Sequence, residues 1–334
     1  MNAVGSISPE RERGSRRRLY LRNDDIRALM SDDDWLEAAE DGLGAAAAGD
    51  ALTAAPVHIP VEGGGIHVKS AAWLREMPAV TVKINANFPD NPRRRGLPTI
   101  QGVILLLDAL DGTLLAIMDS QEITARRTAA AAALAARRLA RPDARRALLI
   151  GCGEQGRACL ALLLRVLPLT QVLLHDRDMT AAERLAEEAH GRQARMIPCA
   201  QPAAAAPSCG VILTCTTSAD YVLGDKDVGP GTFIAAIGAD HPHKREIHPR
   251  LYARCKAVCD SLAQCAVMGD LHHALEAGVV RAGDVHGELA EIVAGRKAGR
   301  RTAQETWLYD STGVAALDAA AAVRIYRRAL ERNR

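Results

Sequence analysis

The chain has 334 residues, a length that suits two domains, and its 42 Lys and Arg against 40 Asp and Glu leave a formal net charge of +2. This balance disfavours a dedicated nucleic-acid binder, which usually carries a basic excess, and aromatic residues at 3% disfavour stacking platforms for bases. No apolar run approaches the length of a membrane span. Eight cysteines without a C-x-x-C pair, and no recognisable secretion signal, lead us to expect a reduced, cytoplasmic protein.

The first part of the chain predicts a mixture of helix and antiparallel strands. Residues 1–18, rich in Arg, Gly and Ser, are expected to form a disordered tail. An amphipathic helix over 32–48 should end at Gly49. A loop is expected over 88–98, which is rich in Pro, Asn and Arg. Strands are predicted over 57–61, 66–70, 79–85, 103–108 and 114–119, the last two joined at Asp111-Gly112.

From residue 124 onward, helices alternate with short apolar strands. This alternation is typical of a parallel sheet with crossover helices, so the fold class is predicted to be α/β. The predicted strands cover 146–150, 171–175, 211–215, 233–237 and 258–260. The predicted helices cover 124–139, 180–190 and 314–332. A further helix is predicted to begin after Gly156 and to end near Val166.

A glycine motif opens the second half of the chain. Gly151, Gly153 and Gly156 follow an apolar strand and begin a helix, as a dinucleotide-binding turn requires. The first glycine permits the tight turn, the second lets a pyrophosphate approach the backbone, and the third allows close packing of helix on strand. The next strand ends at Asp176, which can accept both ribose hydroxyls and favours NAD(H); Arg177 can hold a 2′-phosphate, which leaves NADP(H) as the alternative.

Four further segments, in order along the chain, carry a family resemblance. They are Val82-Lys83-Ile84 with the loop through Gly96-Leu97-Pro98-Thr99; Ala116 to Asp119 with Thr124 to Thr128; Ala236 to Asp240 with Lys244 and Glu246; and Asp310-Ser311-Thr312-Gly313. With the glycine motif, they resemble the ornithine cyclodeaminase/mu-crystallin family from about Leu19 to the C-terminal helix. The resemblance is specific for the family and not for one substrate.

The resemblance implies a role for each matching residue. Lys83 would be catalytic, holding the substrate carboxylate and favouring electron withdrawal from the reacting carbon. Asp240 would be the general acid and base. Arg127 would grip the α-carboxylate through its planar guanidinium, and Thr99 would help to line the pocket. Taken singly, Lys83, Arg127 and Asp240 would more often be a solvated lysine, a surface charge and a turn residue.

The resemblance also implies a domain plan. A Rossmann dinucleotide-binding domain would cover 129–310, and a discontinuous α+β substrate-binding and dimerisation domain would combine 19–128 with 311–334, which predicts a homodimer. No metal is predicted, since the histidines after Asp240 lack a supporting ligand pattern. The cofactor-binding residues predicted from the motif and the resemblance are Thr128, Gly151, Gly153, Gln155, Gly156, Asp176, Arg177, Thr214, Thr216, Gly238 and Ser311.

Two positions depart from the family's pattern. Shortly after a proline, where the family usually has a substrate-binding arginine, this chain has His58, which can be neutral at pH 7. Eleven residues later, where members that use ornithine place an acidic residue for the distal amino group, it has Lys69. A cation at this substrate-binding position repels an ammonium tail and favours an anionic or polar one. The alternative is that Lys69 points to solvent beside the pocket.

Three functions are open from the sequence. The first is an NAD(P)H-dependent imine (ketimine) reductase or amino-acid dehydrogenase acting on a small imino or amino acid with a polar or anionic tail. The second is a cyclodeaminase-type lyase that converts L-ornithine to L-proline and ammonia while recycling NAD internally. The third is a non-catalytic, mu-crystallin-like binding protein, against which the joint presence of Lys83, Arg127 and Asp240 argues. The expected partner is a small amino or imino acid, with no nucleic acid and no membrane.

Overall fold

A computed structural model describes residues 18–189 and 193–332 of the chain. The predicted tail of residues 1–18 lies outside these residues except for Arg18, as does His190 at the end of a predicted helix. Within the described ranges, the strands form two separate sheets. The predicted α/β fold class is confirmed.

The first sheet is built from the N-terminal strands. They are β1 (Leu19–Leu21), β2 (Ala51–Thr53), β3 (Val57–Val61), β4 (Gly64–Trp73), β5 (Ala79–Asn87), β6 (Ile100–Asp108) and β7 (Leu114–Asp119). Their order is β1-β7-β6-β5-β4-β2, with β3 paired to β4, and the pairings are antiparallel except for β1 on β7. The strand predicted over 66–70 is longer than expected, because β4 pairs with β5 along almost its whole length.

Helices that accompany this sheet are α1 (Asn23–Leu29), α2 (Asp32–Ala48), α3 (Asn91–Arg95) and α4 (Ser120–Leu139). The helix predicted over 32–48 is confirmed; the Ser31 hydroxyl accepts the Asp34 N–H at its start. Helix α4 begins four residues earlier than predicted, directly after β7. The loop predicted over 88–98 contains α3, which starts with a proline in its first turn and ends at Gly96 with φ +63°.

The second sheet is entirely parallel. Its strands are β8 (Arg146–Ile150), β9 (Gln171–His175), β10 (Arg195–Pro198), β11 (Val211–Thr214), β12 (Phe233–Ala236), β13 (Lys256–Cys259), β14 (Gly287–Glu288) and β15 (Trp307–Asp310). Their order is β10-β9-β8-β11-β12-β15-β13-β14. The central strands are buried on both faces, as a parallel sheet covered by helices requires. The predicted parallel sheet is therefore confirmed.

The last helix returns to the first sheet. Helices of the second part are α5 (Glu154–Val166), α6 (Met179–Glu188), α7 (Pro202–Ala205), α8 (Pro249–Arg254), α9 (Leu262–Met268), α10 (Asp270–Glu276), α11 (Leu289–Val293) and α12 (Ala315–Arg332), with short 3₁₀ turns at Ala206–Ser208 and Ala282–Asp284. Helix α12 packs on α2 and β4, and its alanines allow close approach: a Cβ on Gly42 would lie 3.2 Å from the Ala316 carbonyl. This return supports the predicted discontinuous domain, whose boundaries stay a prediction. Among the described helices, none is both long and apolar enough to cross a bilayer.

Candidate active site

A cavity of about 290 Å³ lies where one face of the first sheet meets loops at the carboxyl ends of the second. This is the place where ligands bind in open parallel sheets. The polar side chains that line it are His58, His67, Lys69, Lys83, Asn85, Asn87, Thr124, Arg127, Asp240, His241 and Thr312. The structure thus brings together five of the six residues predicted to act on substrate. The exception is Thr99, whose carbonyl accepts the Phe88 N–H at 2.8 Å; its neighbour Ile100 lines the cavity instead.

Beneath the cavity lies an acid that sequence analysis missed. Asp318 of α12 pairs with Lys83, with 2.7 Å between Nζ and Oδ2, and accepts a hydrogen bond from Arg127 Nε at 2.9 Å. The three side chains are at most 6% exposed. Burial favours the neutral acid, but the Arg127 and Lys83 charges outweigh it and lower the pKa of Asp318. One carboxylate therefore orients both predicted substrate-binding cations.

Lys83 is held in an unusual electrostatic state. Burial and the nearby Arg127 charge lower the pKa of its ammonium from 10.5 to about 7, although Asp318 opposes this shift. Its ammonium therefore titrates close to neutrality, in contrast to a solvated lysine.

Part of the Arg127 guanidinium has no hydrogen-bond partner among the described residues. Its Nε is bonded to Asp318, while its Nη1 is buried and has no hydrogen-bond partner within the described residues. Both Nη atoms lie against Gly313, where a Cβ would be only 2.9 Å away. Gly313 also has φ +83°, so glycine is needed twice: for the turn and for the space that the guanidinium occupies. A buried donor without a partner is costly, so this Nη1 is suited to a ligand carboxylate.

Lys69 crosses from β4 to the turn before α12. Its ammonium donates to the Thr312 carbonyl at 2.8 Å and to the Gly313 carbonyl at 2.7 Å. The alternative in which Lys69 points to solvent is therefore not observed. The expectation that Lys69 selects the substrate tail by its charge is also modified, because two of its N–H donors already bind backbone carbonyls.

Asp260, at the end of β13, holds the same turn. It accepts hydrogen bonds from the Ser311 hydroxyl at 3.0 Å and the Thr312 hydroxyl at 3.2 Å. The side chain of Ser311 is buried and committed to Asp260, so a cofactor contact through its hydroxyl is not what the structure shows.

Asp240 faces the cavity from the loop after β12. Its Oδ1 lies 2.6 Å from Lys244 Nζ. Burial raises its pKa, but the Lys244 ammonium, together with Lys69 and His67, more than offsets this, so the pKa lies below the usual value for aspartate. The carboxylate is therefore ionised at neutral pH and can accept a proton.

The glycine motif has the geometry of a dinucleotide cradle. A Cβ on Gly151, whose φ is +100°, would lie 2.4 Å from the Cys215 carbonyl, and one on Gly156 would lie 2.0 Å from the Gly151 carbonyl. A Cβ on Gly153 meets nothing within 4 Å. The first and third glycines are thus required by the fold, whereas the second faces open space at the start of α5, where a pyrophosphate fits.

The residues after β9 form the part of the predicted cofactor site that would face the ribose. Asp176 follows this strand and accepts the Cys152 N–H at 2.8 Å, which ties it to the glycine turn, while Arg177 beside it is exposed. Gln155 connects the same turn to α4, since its amide donates to the Ala125 carbonyl at 3.1 Å, and Thr128 is buried on α4. These residues surround the glycine turn as predicted, and the contact of Asp176 with a ribose stays a prediction.

A buried acid, Glu246, organises the remaining predicted cofactor segment. It accepts the Thr214 hydroxyl at 2.7 Å, the Thr216 N–H at 2.6 Å and the Gly238 N–H at 2.7 Å. Burial raises the pKa of Glu246. Thr214 is fully buried with its hydroxyl committed to this acid, so its predicted direct cofactor contact is corrected to a supporting one. Sequence analysis quoted Glu246 in a motif without assigning it a role.

We expect Gly153→Ala to weaken NADH binding by at least about tenfold, a loss of about 1.4 kcal/mol, while thermal stability stays unchanged. The added methyl group meets no protein atom but occupies the space predicted for the pyrophosphate. Fluorescence titration of NADH and a thermal melt would measure the two effects. Gly156→Ala is the matched control: its Cβ clashes with backbone, so it should lower the melting temperature. Unchanged NADH affinity in Gly153→Ala would contradict the cofactor placement.

The chain is similar to proteins of known structure along almost its whole length. The sequence model of the ornithine cyclodeaminase/mu-crystallin family matches residues 17–333. An archaeal alanine dehydrogenase, solved as a dimer with bound NAD, is 32% identical, covers 95% of this chain and 97% of its own, and superposes with a TM-score of 0.89. Thermococcus litoralis Δ1-pyrroline-2-carboxylate reductase, solved with NADH and L-proline, is 31% identical, with 94% and 98% covered and a TM-score of 0.91.

A third structure is the iminosuccinate reductase of Paracoccus denitrificans with NAD⁺, which is 28% identical, with 94% and 97% covered and a TM-score of 0.86. These relatives confirm the predicted Rossmann-type domain, the predicted NAD cofactor and the predicted enzyme class, an NAD-dependent oxidoreductase of amino or imino acids. The chain belongs to the ornithine cyclodeaminase/mu-crystallin family.

Proposed function

We propose that the protein reduces small α-imino acids with NADH and, in reverse, oxidises the corresponding amino acids. The observation that carries this proposal is the pair of buried cations, Lys83 and Arg127, oriented by one carboxylate under a cavity that Asp240 faces from the other side. An α-imino acid needs these features: a cation for its carboxylate and a proton carrier near its nitrogen.

The residues divide the work as follows. Arg127 Nη1 and the Lys83 ammonium bind the α-carboxylate, which takes the place of the missing hydrogen-bond partner. NADH, when bound on the glycine turn, supplies the hydride to the α-carbon. Asp240 uses the oxygen that does not bind Lys244 to move the proton to or from the substrate nitrogen. Lys69 and Asp260 fix the turn that closes the floor of the cavity.

The site gives no support to the lyase alternative. Ornithine carries a distal ammonium group, and the cavity is lined by Lys69, Lys83 and Arg127. Bringing another cation into a desolvated cationic cavity is unfavourable by several kcal/mol in comparable interfaces. Retention of all three predicted functional residues likewise speaks against a purely binding protein.

We also propose that the protein is a homodimer in the cytoplasm. Strand β3 leaves Val57, Ile59 and Val61 exposed along one edge, and exposed apolar strand surface of this kind favours association. The archaeal alanine dehydrogenase to which the chain is similar is a dimer. All eight cysteines are free, which suits a reducing compartment.

The experiment that tests the reaction is NADH oxidation with 2-oxo acids plus ammonia or methylamine, and NAD⁺ reduction with amino acids. We expect Arg127→Met to lower kcat/KM by at least about 100-fold, because the α-carboxylate loses its charged hydrogen-bond donor, while NADH affinity is retained. Arg126→Met is the matched control; the neighbouring arginine pairs with Asp32 and Glu122 outside the cavity, so its effect should stay within about threefold. Ammonia release from L-ornithine with no net NADH change would replace the proposal with the lyase.

A further inference from the structure

Three imidazoles line the cavity beside the catalytic cations. On the first sheet, His58 of β3 is directly opposite His67 of β4, and His67 is opposite Asn85 of β5. Two residues further along β4, Lys69 is opposite Lys83. Residues two apart on a strand share a face of the sheet. On the cavity floor, the level of His58, His67 and Asn85 is therefore about 7 Å along the strands from the level of Lys69 and Lys83.

The imidazoles form one compact group, which we call the histidine row. The rings of His58 and His67 stack with centroids 4.5 Å apart, and His241 from the opposite loop meets His58 edge-on at 5.2 Å. Burial lowers the pKa of His67 to about 4 and also lowers that of His241. Both rings are therefore neutral at physiological pH, and a neutral imidazole carries one N–H donor.

The charges around the cavity leave room for more than one anion. Asp240 is matched by Lys244, and Asp318 is shared by Lys83 and Arg127. Asp318 carries one negative charge and balances one of these two cations, so the other positive charge can balance the α-carboxylate. The charge of Lys69 is offset by two carbonyls and by Asp260 behind the turn, but it still lies on the cavity wall. This positively charged cavity wall stabilises a substrate whose side chain ends in a second carboxylate, and it repels one whose side chain ends in an ammonium group.

We propose that the histidine row, formed by His58, His67 and His241, is a distal subsite for a second carboxylate, which makes dicarboxylic amino and imino acids the preferred substrates. The inference rests on the proposed function. With the α-carboxylate on Arg127 and Lys83, a molecule of about four or five carbons spans the spacing of the two rows. Its second carboxylate accepts hydrogen bonds from the imidazole N–H groups, with the Lys69 charge nearby. This assignment moves the tail-reading role from Lys69 to the histidines.

The test is a binding measurement that needs no turnover. L-Aspartate and L-alanine differ by one carboxylate, so their affinities for the enzyme–NADH complex, measured by calorimetry, isolate the subsite. We expect L-aspartate to bind at least about tenfold more tightly, and L-2,4-diaminobutyrate more weakly than L-alanine. His67→Leu should reduce the preference for aspartate to less than about threefold without changing the affinity for alanine. His67→Gln, which keeps a donor, should restore part of it.

His243→Leu is the matched control, because His243 is exposed and lies outside the cavity lining. It should keep the wild-type preference. The inference is overturned if wild type binds L-alanine as tightly as L-aspartate, or if His67→Leu weakens both ligands equally. The proposed function fails separately, through absence of NADH-dependent turnover on every 2-oxo acid with ammonia, whatever the ratio of binding affinities.

Discussion

Asp318→Asn is expected to lower the free energy of unfolding by about 3 kcal/mol, because it leaves two buried cations without their common anion. Lys83 and Arg127 both bond to this carboxylate and are almost fully buried. Urea denaturation followed by circular dichroism would measure the change. Asp41→Asn is a suitable control, since Asp41 makes an exposed ion pair with Arg324 that should contribute less than about 1 kcal/mol.

A double-mutant cycle tests whether the loss comes from the pair itself. Lys83→Met combined with Asp318→Asn removes one of the cations that Asp318 balances. We therefore expect the double variant to be less destabilised than the sum of the single variants, by more than about 1 kcal/mol. Additive losses would show that Asp318 stabilises the protein by packing and not through charge.

Asp318→Asn should also change the pH dependence of kcat/KM. Asp318 raises the pKa of Lys83, while burial and Arg127 lower it to about 7. The protonated lysine is the form that holds a carboxylate, so kcat/KM should fall as the pH rises through about 7 in the free enzyme. Removing the negative charge lowers the pKa of Lys83 further, and the alkaline limb should move to lower pH in Asp318→Asn. A limb that stays in place would indicate that Lys83 is not the group that titrates.

The parts of the fold that sequence predicted are those with a strong local pattern. Helix α2 carries a serine cap and a terminal glycine, and the short strands of the parallel sheet are continuous apolar runs between turn signals. Five strands were missed, namely β1, β2, β10, β14 and β15, because segments of two to four residues give no periodicity. Their strand character comes from pairing with neighbouring strands.

The site was predicted in a similarly uneven way. Lys83, Arg127 and Asp240 were found because each lies in a segment that resembles the family, and the structure brings all three to one cavity. Asp318 and Glu246 act through contacts with residues far away in the chain; Asp318 is 191 positions from Arg127. An acid inside an alanine-rich helix is the signal that could have pointed to Asp318, since a charge that interrupts an otherwise apolar face needs a partner. The partner itself is not visible before the chain is folded.

Asp240→Asn is expected to lower kcat by about 100- to 10,000-fold while NADH affinity stays unchanged, because the amide cannot exchange the proton on the substrate nitrogen.

Lys244→Met separates this role of Asp240 in proton transfer from a role in substrate binding. The Lys244 ammonium is the largest of the effects that lower the pKa of Asp240, ahead of Lys69 and His67, so its removal raises that pKa. In the direction of amine oxidation the ionised carboxylate is the active form, and the acid limb of the kcat profile should therefore move to higher pH in Lys244→Met, with the plateau largely retained. If Asp240→Asn keeps more than about a tenth of kcat, or if the acid limb does not move, the proton passes through another group. The neighbouring His241, which also lines the cavity and whose pKa is lowered by burial, would then be the first residue to replace.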